Sequence, residues 1–268
     1  MSQELSNYSN PLDALKAAYP QDPGDSYEKT FIPQIRFKAK TVLDDNEKVV
    51  YKAGTYVKVT RSEEKVGDNY EYTETAIGTK FTGDIIYSRY RLSFYDAGDN
   101  RYVSSPIFDD KENEIVKLFS GGKEVASGTA KELQALPEFQ VTKDDKVTTA
   151  LKLQKVLYVL IDGELHELTV AGGNVYAYGN YNRDLGKENT VPAAVHTTFD
   201  SEKTEYGGNK YNQMTFTKAG DLTDDEAVAN VEQLKTLLDA IQAEKAFYGT
   251  RFATDAPAEL APAADEEF

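Results

Sequence analysis

The sequence predicts a mainly β fold, a β-barrel or curved sheet with extra strands, one short internal helix and a long C-terminal amphipathic helix. Three observations carry this expectation. Strand-length runs with two-residue alternation recur between Phe31 and Lys218. Turn residues separate them, and Asp162-Gly163 is the strongest hairpin signal. Two Thr-x-x-Glu capping boxes, Thr129–Glu132 and Thr223–Glu226, mark helix starts.

Taken in order, residues 1–28 are rich in Ser, Asn, Pro, Asp and Gly and read as a flexible arm. The core, 29–252, opens with Ile35, Phe37 and Ala39 alternating with Arg36, Lys38 and Lys40, which gives one apolar and one all-cationic face. Asp44-Asp45-Asn46 is a turn, and Val49–Tyr51 and Tyr56–Arg61 are strands on either side of Gly54. The run Ile85–Tyr95 places Ile86, Ser88, Tyr90, Leu92 and Phe94 on one face and Tyr87, Arg89, Arg91, Ser93 and Tyr95 on the other. Ile115–Phe119 is a further strand, and the first capping box starts a helix that Pro137 ends near Leu136. Lys155–Ile161 and Glu164–Val170 form the Asp162-Gly163 hairpin. Val175–Tyr181 is a Tyr- and Gly-rich segment with no clear period and reads as a loop. Thr197–Tyr206 and Tyr211–Lys218 flank Gly207-Gly208-Asn209 as a second hairpin. Val228, Val231, Leu234, Leu238 and Ile241 then fall at helical spacing, predicting an amphipathic helix over Asp224–Phe247. The last stretch, 253–268, alternates Ala, Pro and acids and reads as a disordered tail.

Three strands, a helix and a strong hairpin is the order of an OB-type barrel. The chain lacks cysteine, so disulfides, thiolate metal sites and cysteine nucleophiles are excluded. No apolar run approaches the length of a membrane span. Met1–Pro11 has neither the basic start nor the apolar stretch of a secretory signal, which predicts a cytoplasmic protein. The net charge of −15 opposes nucleic-acid binding as a whole-chain property, yet it is unevenly spread. Phe31–Arg61 holds seven cations against three anions, whereas Ala253–Phe268 holds five anions and no cation.

His166 and His196 are the only histidines, and neither has a second ligand at metal spacing. The Asp pairs at 44–45, 109–110, 144–145 and 224–225 sit at turns or helix starts, where acids satisfy backbone donors. There is no GxGxxG, P-loop or GxSxG motif, so the expectation is a binding protein without cofactor or metal, not an enzyme.

Two features point to binding chemistry. Tyr87, Arg89, Arg91 and Tyr95 share a strand face, a pattern of rings that stack on bases and cations that meet phosphate. Arg36, Lys38 and Lys40 could track the backbone beside it, with Lys58 and a Tyr176, Tyr178, Tyr181 loop closing over the strand. A solvated strand face with Tyr–Arg packing explains the same residues. The second feature is the tail, where Asp265, Glu266, Glu267 and Phe268 combine acids with a terminal ring that can dock on a basic-rimmed pocket or act as a solubilising end.

The Pro-containing arm, the opening Phe31-Ile32-Pro33-Gln34-Ile35-Arg36-Phe37, the β-rich body and the Asp265-Glu266-Glu267-Phe268 end resemble single-stranded DNA-binding proteins of bacteriophages and bacteria. The resemblance implies an OB-like core that binds single-stranded DNA without sequence preference. It also implies an acidic tail that recruits replication or recombination proteins, in the host cytoplasm if the chain is phage-encoded. The chain departs from the bacterial pattern in having no Trp and no Pro before the terminal Phe. Three alternatives are compatible with the same residues. They are a viral structural or assembly protein, a carbohydrate-binding module using Tyr176, Tyr178 and Tyr181, and, as a state compatible with each function, a homo-oligomer.

Overall fold

The computed structural model describes residues 31–253 apart from 67–68, 97, 144–145 and 207. They divide into a main unit, Phe31–Leu234, and a second unit in which the described residues are 235–253. The expected arm over 1–28 lies outside the described residues, as does the expected tail over 253–268 apart from Ala253, which is helical.

In chain order the strands are β1 (Gln34–Lys38), β2 (Val42–Leu43), β3 (Val49–Tyr51), β4 (Thr55–Val66), β5 (Asn69–Gly78), β6 (Phe81–Asp96), β7 (Arg101–Ser104), β8 (Val116–Ser120) and β9 (Lys123–Gly128). Helix α1 (Ala130–Ala135) precedes β10 (Gln140–Lys143), β11 (Lys146–Thr149), β12 (Lys152–Ile161) and β13 (Glu164–Val170). Helix α2 (Gly173–Lys187), β14 (Val195–Tyr206), β15 (Asn209–Asp221) and helix α3 (Asp224–Ala253) complete the order. The main sheet runs β5-β4-β1-β13-β12-β6-β7-β8-β9, with β14 paired to the start of β6 and β15 to β14. β1 and β13 run parallel, and the other described pairs are antiparallel. The path ends at β5 and β9 without meeting, so the expected barrel gives way to an open sheet. The sheet still curls enough for Tyr56 of β4 to meet Phe81 of β6, with ring centroids 5.0 Å apart.

One face of β6 and β12 carries two apolar clusters. In the first, Phe81 stacks on Phe199 at 4.5 Å, and Ile35, Tyr56, Leu157, Leu168 and Phe216 fill the space beside them. Helix α2 closes this cluster with Tyr178, Tyr181 and Leu185, spaced three and four residues apart and therefore on one helical stripe. The second cluster joins Leu92, Val103, Phe108, Leu118, Leu133, Phe139 and Leu151. Each fully buried side chain of this size contributes about 1.5–3 kcal/mol, before the entropy of ordering it.

Local signals explain most of the elements. Asp162 and Gly163 both have positive φ, as a tight hairpin between right-twisted strands requires, and β12 pairs with β13 around them. The Thr129 hydroxyl accepts from Glu132 N, while Glu132 accepts from Thr129 N, so α1 carries its capping box. Two expectations are corrected. The segment with Tyr176, Tyr178 and Tyr181 is not a loop but helix α2, because its buried stripe outweighs the poor helix propensity of its Gly and Asn residues. In α3, Val228 and Val231 are exposed, contrary to the expected stripe, whereas Leu234 and Leu238 are half-buried and Ile241 is buried, as is Leu237 beside them. At the start of α3 the half-buried Asn230 donates its amide to Asp84 Oδ2 at 3.0 Å.

Candidate nucleic-acid interface

The long strand β6 has the two faces its alternation predicts, but they differ in what covers them. A bulge opposite Tyr158/Val159 buries both Ile85 and Ile86 and sets the register beyond it. Past the bulge Tyr87, Arg89, Arg91 and Tyr95 do share a face. That face is not an open platform. Arg89 is 1% exposed; its Nε donates to Asp109 Oδ1 at 2.7 Å and its Nη2 to the Ile107 carbonyl at 3.0 Å. Burial works against the Arg89 charge, but the Asp109 hydrogen bond and charge outweigh it and raise its pKa. The Tyr87 hydroxyl donates to the same carboxylate at 3.3 Å. Arg91 pairs with Glu167 at 3.1 Å. Only Tyr95 stays open, opposite the equally exposed Tyr102 of β7, with its hydroxyl donating to Asn100 Oδ1 at 2.9 Å.

The cationic face of β1 is also engaged. Lys38 Nζ lies 2.8 Å and Arg36 Nη1 3.3 Å from the Glu74 carboxylate, so two cations share one anion. The Lys38 hydrogen bond holds the Glu74 carboxyl below its ordinary value. Lys58 meets Glu164 at 2.5 Å, and this hydrogen bond lowers the Glu164 carboxyl likewise. In α2, Tyr176 is exposed, whereas Tyr178 and Tyr181 are buried, so the three do not form one platform for a base or a sugar. Their residue spacing makes this unavoidable on a helix, where positions two and five apart point away from each other. Asp265, Glu266, Glu267 and Phe268 lie outside the described residues.

Lys40 is the exception among the predicted cations. It is exposed and, among the described residues, has no carboxylate within 4.0 Å. It lines an open groove of about 660 Å³ with Lys203, Lys210, Tyr211 and Asn212. Lys203 and Lys210 likewise have no ion pair among the described residues, and Glu205 is the one acid among the described residues of the groove wall. Backbone contacts build the groove. Asn212 N donates to the Ala39 carbonyl at 2.8 Å, joining β15 to the end of β1, and Gly54 N, in the turn before β4, donates to the Lys38 carbonyl at 2.7 Å. Gly54 has φ +88°, and a Cβ there would sit 2.1 Å from Asn212 Nδ2, so glycine sets this junction. Sequence reading found the hairpin but not the end of β1 that it meets. Lys203 and Lys210, on opposite sides of Gly207-Gly208, were the available signal.

The two histidines have different surroundings. His196 Nδ1 lies 2.7 Å from Asp84 Oδ1 and its Nε2 3.5 Å from Glu226, linking β14, β6 and α3. The Asp84 hydrogen bond raises its pKa. His166 is buried, its Nδ1 2.8 Å from the Glu164 carbonyl, and burial lowers its pKa. Among the described residues no His, Asp or Glu cluster could hold a metal ion, and no helix is long and apolar enough to cross a membrane. No family model, curated protein or solved structure matches the chain.

Proposed function

We propose that the chain is a sequence-nonspecific single-stranded DNA-binding protein of phage DNA replication or recombination, acting in the host cytoplasm. Its strand would lie in the groove of Lys40, Lys203, Lys210 and Tyr211, not along the face of β6. The observation that carries this reading is a groove lined by three lysines that have no ion pair among the described residues, in a chain of net charge −15. Phosphates gain most from cations that do not already hold a carboxylate, and a ring beside them offers a base a stacking surface. The curled sheet with its α1 and hairpin order supports an OB-like core as the finer description. The acidic end, Asp265, Glu266, Glu267 and Phe268, is proposed to dock a replication or recombination protein, with its acids steering the encounter and its ring supplying buried area.

Fluorescence titration of the full chain with a labelled oligo-dT tests the reading. Three phosphate contacts to a single strand give a log–log salt slope of about −2. Lys203→Glu with Lys210→Glu should weaken low-salt binding at least roughly tenfold, whereas Arg91→Ala should change it little. Absence of binding at low salt, or indifference to the double variant, sinks it.

A virion assembly protein is the second reading. It is favoured by Leu43 and Val49 on the β2–β3 hairpin and Val141 and Val147 on the β10–β11 hairpin, all apolar and exposed. Rings, tubes or particle-bound copies in electron micrographs, with no oligo-dT binding, would select it.

A further inference from the structure

Helix α3 buries apolar side chains that belong to neither cluster of the main unit. Leu237 is 3% exposed and Ile241 6%, yet neither joins the cluster around Phe81 and Phe199 or the one around Leu92 and Leu118. A lone helix cannot bury its own side chains this deeply, because each projects outward and needs a neighbouring segment across it. The opposite side of the helix stays in water, where Val231, Lys235 and Gln242 are exposed. The burial occurs within one chain, so another part of the same chain supplies the cover.

The two long stretches outside the described residues are 1–30 and 254–268. The second has only Leu260 and Phe268 as large apolar residues, and Pro257 and Pro262 interrupt it. The first carries Leu5, Tyr8, Leu12, Leu15 and Tyr19 at steps of three, four, three and four. That is the spacing of a helical seam. Asn10 before Pro11, and Pro20 after Tyr19, mark a helix start and stop around its second half. On α3, Leu234, Leu237, Ile241 and Glu244 are buried or half-buried at steps of three, four and three. Two seams of the same period can pack side by side along their length. The eleven residues between Tyr19 and Phe31 extend up to about 40 Å, so the connection is long enough for the arm to reach a helix at the far end of the chain.

We propose that residues 11–19 of the N-terminal arm form a helix whose Leu12, Leu15 and Tyr19 cover Leu237 and Ile241 of α3. The two ends of the chain then make a two-helix clasp, and the acidic stretch begins directly after it. This gives the arm a seat in place of the free end expected from its composition. The clasp is independent of the DNA reading, since it uses neither the lysine groove nor a bound strand.

Thiol protection in the full chain tests the clasp, because the chain has no cysteine of its own. The single variants Ile241→Cys and Val231→Cys are reacted with a maleimide. Ile241→Cys should react at least roughly tenfold more slowly than the exposed Val231→Cys, and adding Leu12→Asp with Leu15→Asp should abolish the difference. Adding Leu260→Asp with Phe268→Asp should leave it intact. Equal rates from the outset, protection that survives the arm substitutions, or protection lost with the tail substitutions overturns the clasp. Should the arm substitutions abolish cooperative thermal unfolding, Leu12→Ser with Leu15→Ser replaces them under the same criteria. The second measurement treats a chain carrying Leu15→Cys and Ile241→Cys with a short bismaleimide. A linked monomer supports the clasp. Linking no faster than in Leu15→Cys with Val231→Cys overturns it, and so does a linked dimer, in which the arm covers a second copy.

Discussion

Arg89 shows how a single residue can match a functional pattern and serve a structural end. Its guanidinium anchors the segment that follows β7, through Asp109 and the Ile107 carbonyl. Removing one member of such a pair strands the other, and the buried member is the expensive one to strand. Asp109→Ala should therefore cost roughly 3 kcal/mol in a urea unfolding experiment. Arg89→Leu should cost less, because Asp109 is one-third exposed and can be rehydrated; equal costs would show that the pair is not what holds the segment. The histidines make opposite predictions. His196 has a raised pKa in the fold, so its stabilisation is complete below its ordinary value of 6.5 and is lost as pH rises through the folded value. His166 has a lowered pKa, so its contribution is complete above 6.5 and is lost as pH falls from there through the lower folded value. The stability gap between wild type and His196→Gln should be larger at about pH 5.5 than at about pH 8, and that between wild type and His166→Leu should run the other way. Parallel pH profiles for the two variants would contradict this assignment.

Elements with strong local chemistry were legible in the sequence. The β12–β13 hairpin, the α1 capping box and the start of α3 stand where Asp162-Gly163, Thr129 and Thr223 place them. Helix α2 was not legible, because its Gly and Asn residues hide a stripe that only burial against Phe216 reveals. Nor was the pairing of β1 with Glu74, since strand faces can be read from alternation but cross-strand partners need register. Two predictions belong at this scale. Phe199→Ala removes a fully buried ring stacked on Phe81 and edge-on to Phe216, and should cost about 3–5 kcal/mol by denaturant unfolding. Gly54→Ala should displace the Asn212 and Ser201 side chains from the junction, strain the backbone at its positive φ and, under the DNA reading, weaken oligo-dT binding while leaving the far-UV circular dichroism of the sheet nearly unchanged. Unaltered binding in a folded Gly54→Ala protein would mean that the groove is not the site.

For the whole molecule, the arrangement of charge matters more than its sum. Most partly buried cations are spent on neighbouring acids, which leaves the exposed lysines of the groove to face solvent. Under the DNA reading, that distribution predicts weak oligo-dT binding at physiological salt and a marked gain on dilution, since exposed charges are screened over about 8 Å at physiological ionic strength. The parallel pairing of β1 with β13 has a further consequence during synthesis. Gln34 and Glu167 are neighbours in the sheet but 133 residues apart in the chain. At roughly 5–20 residues per second, a ribosome needs on the order of ten seconds to supply the partner strand. Through that interval β5, β4 and β1 can pair with one another while one side of β1 stays an open edge. Arg36, Lys38 and Lys40 line that strand and its end, and cations on an unpaired edge discourage the edges of other nascent chains from adding to it. On this timescale the alternating cations, two of them sharing the single Glu74, would leave a net positive edge on the unfinished sheet. Replacing Arg36 and Lys38 with Thr should then raise the aggregated fraction of freshly translated protein more than it lowers the stability of the finished fold.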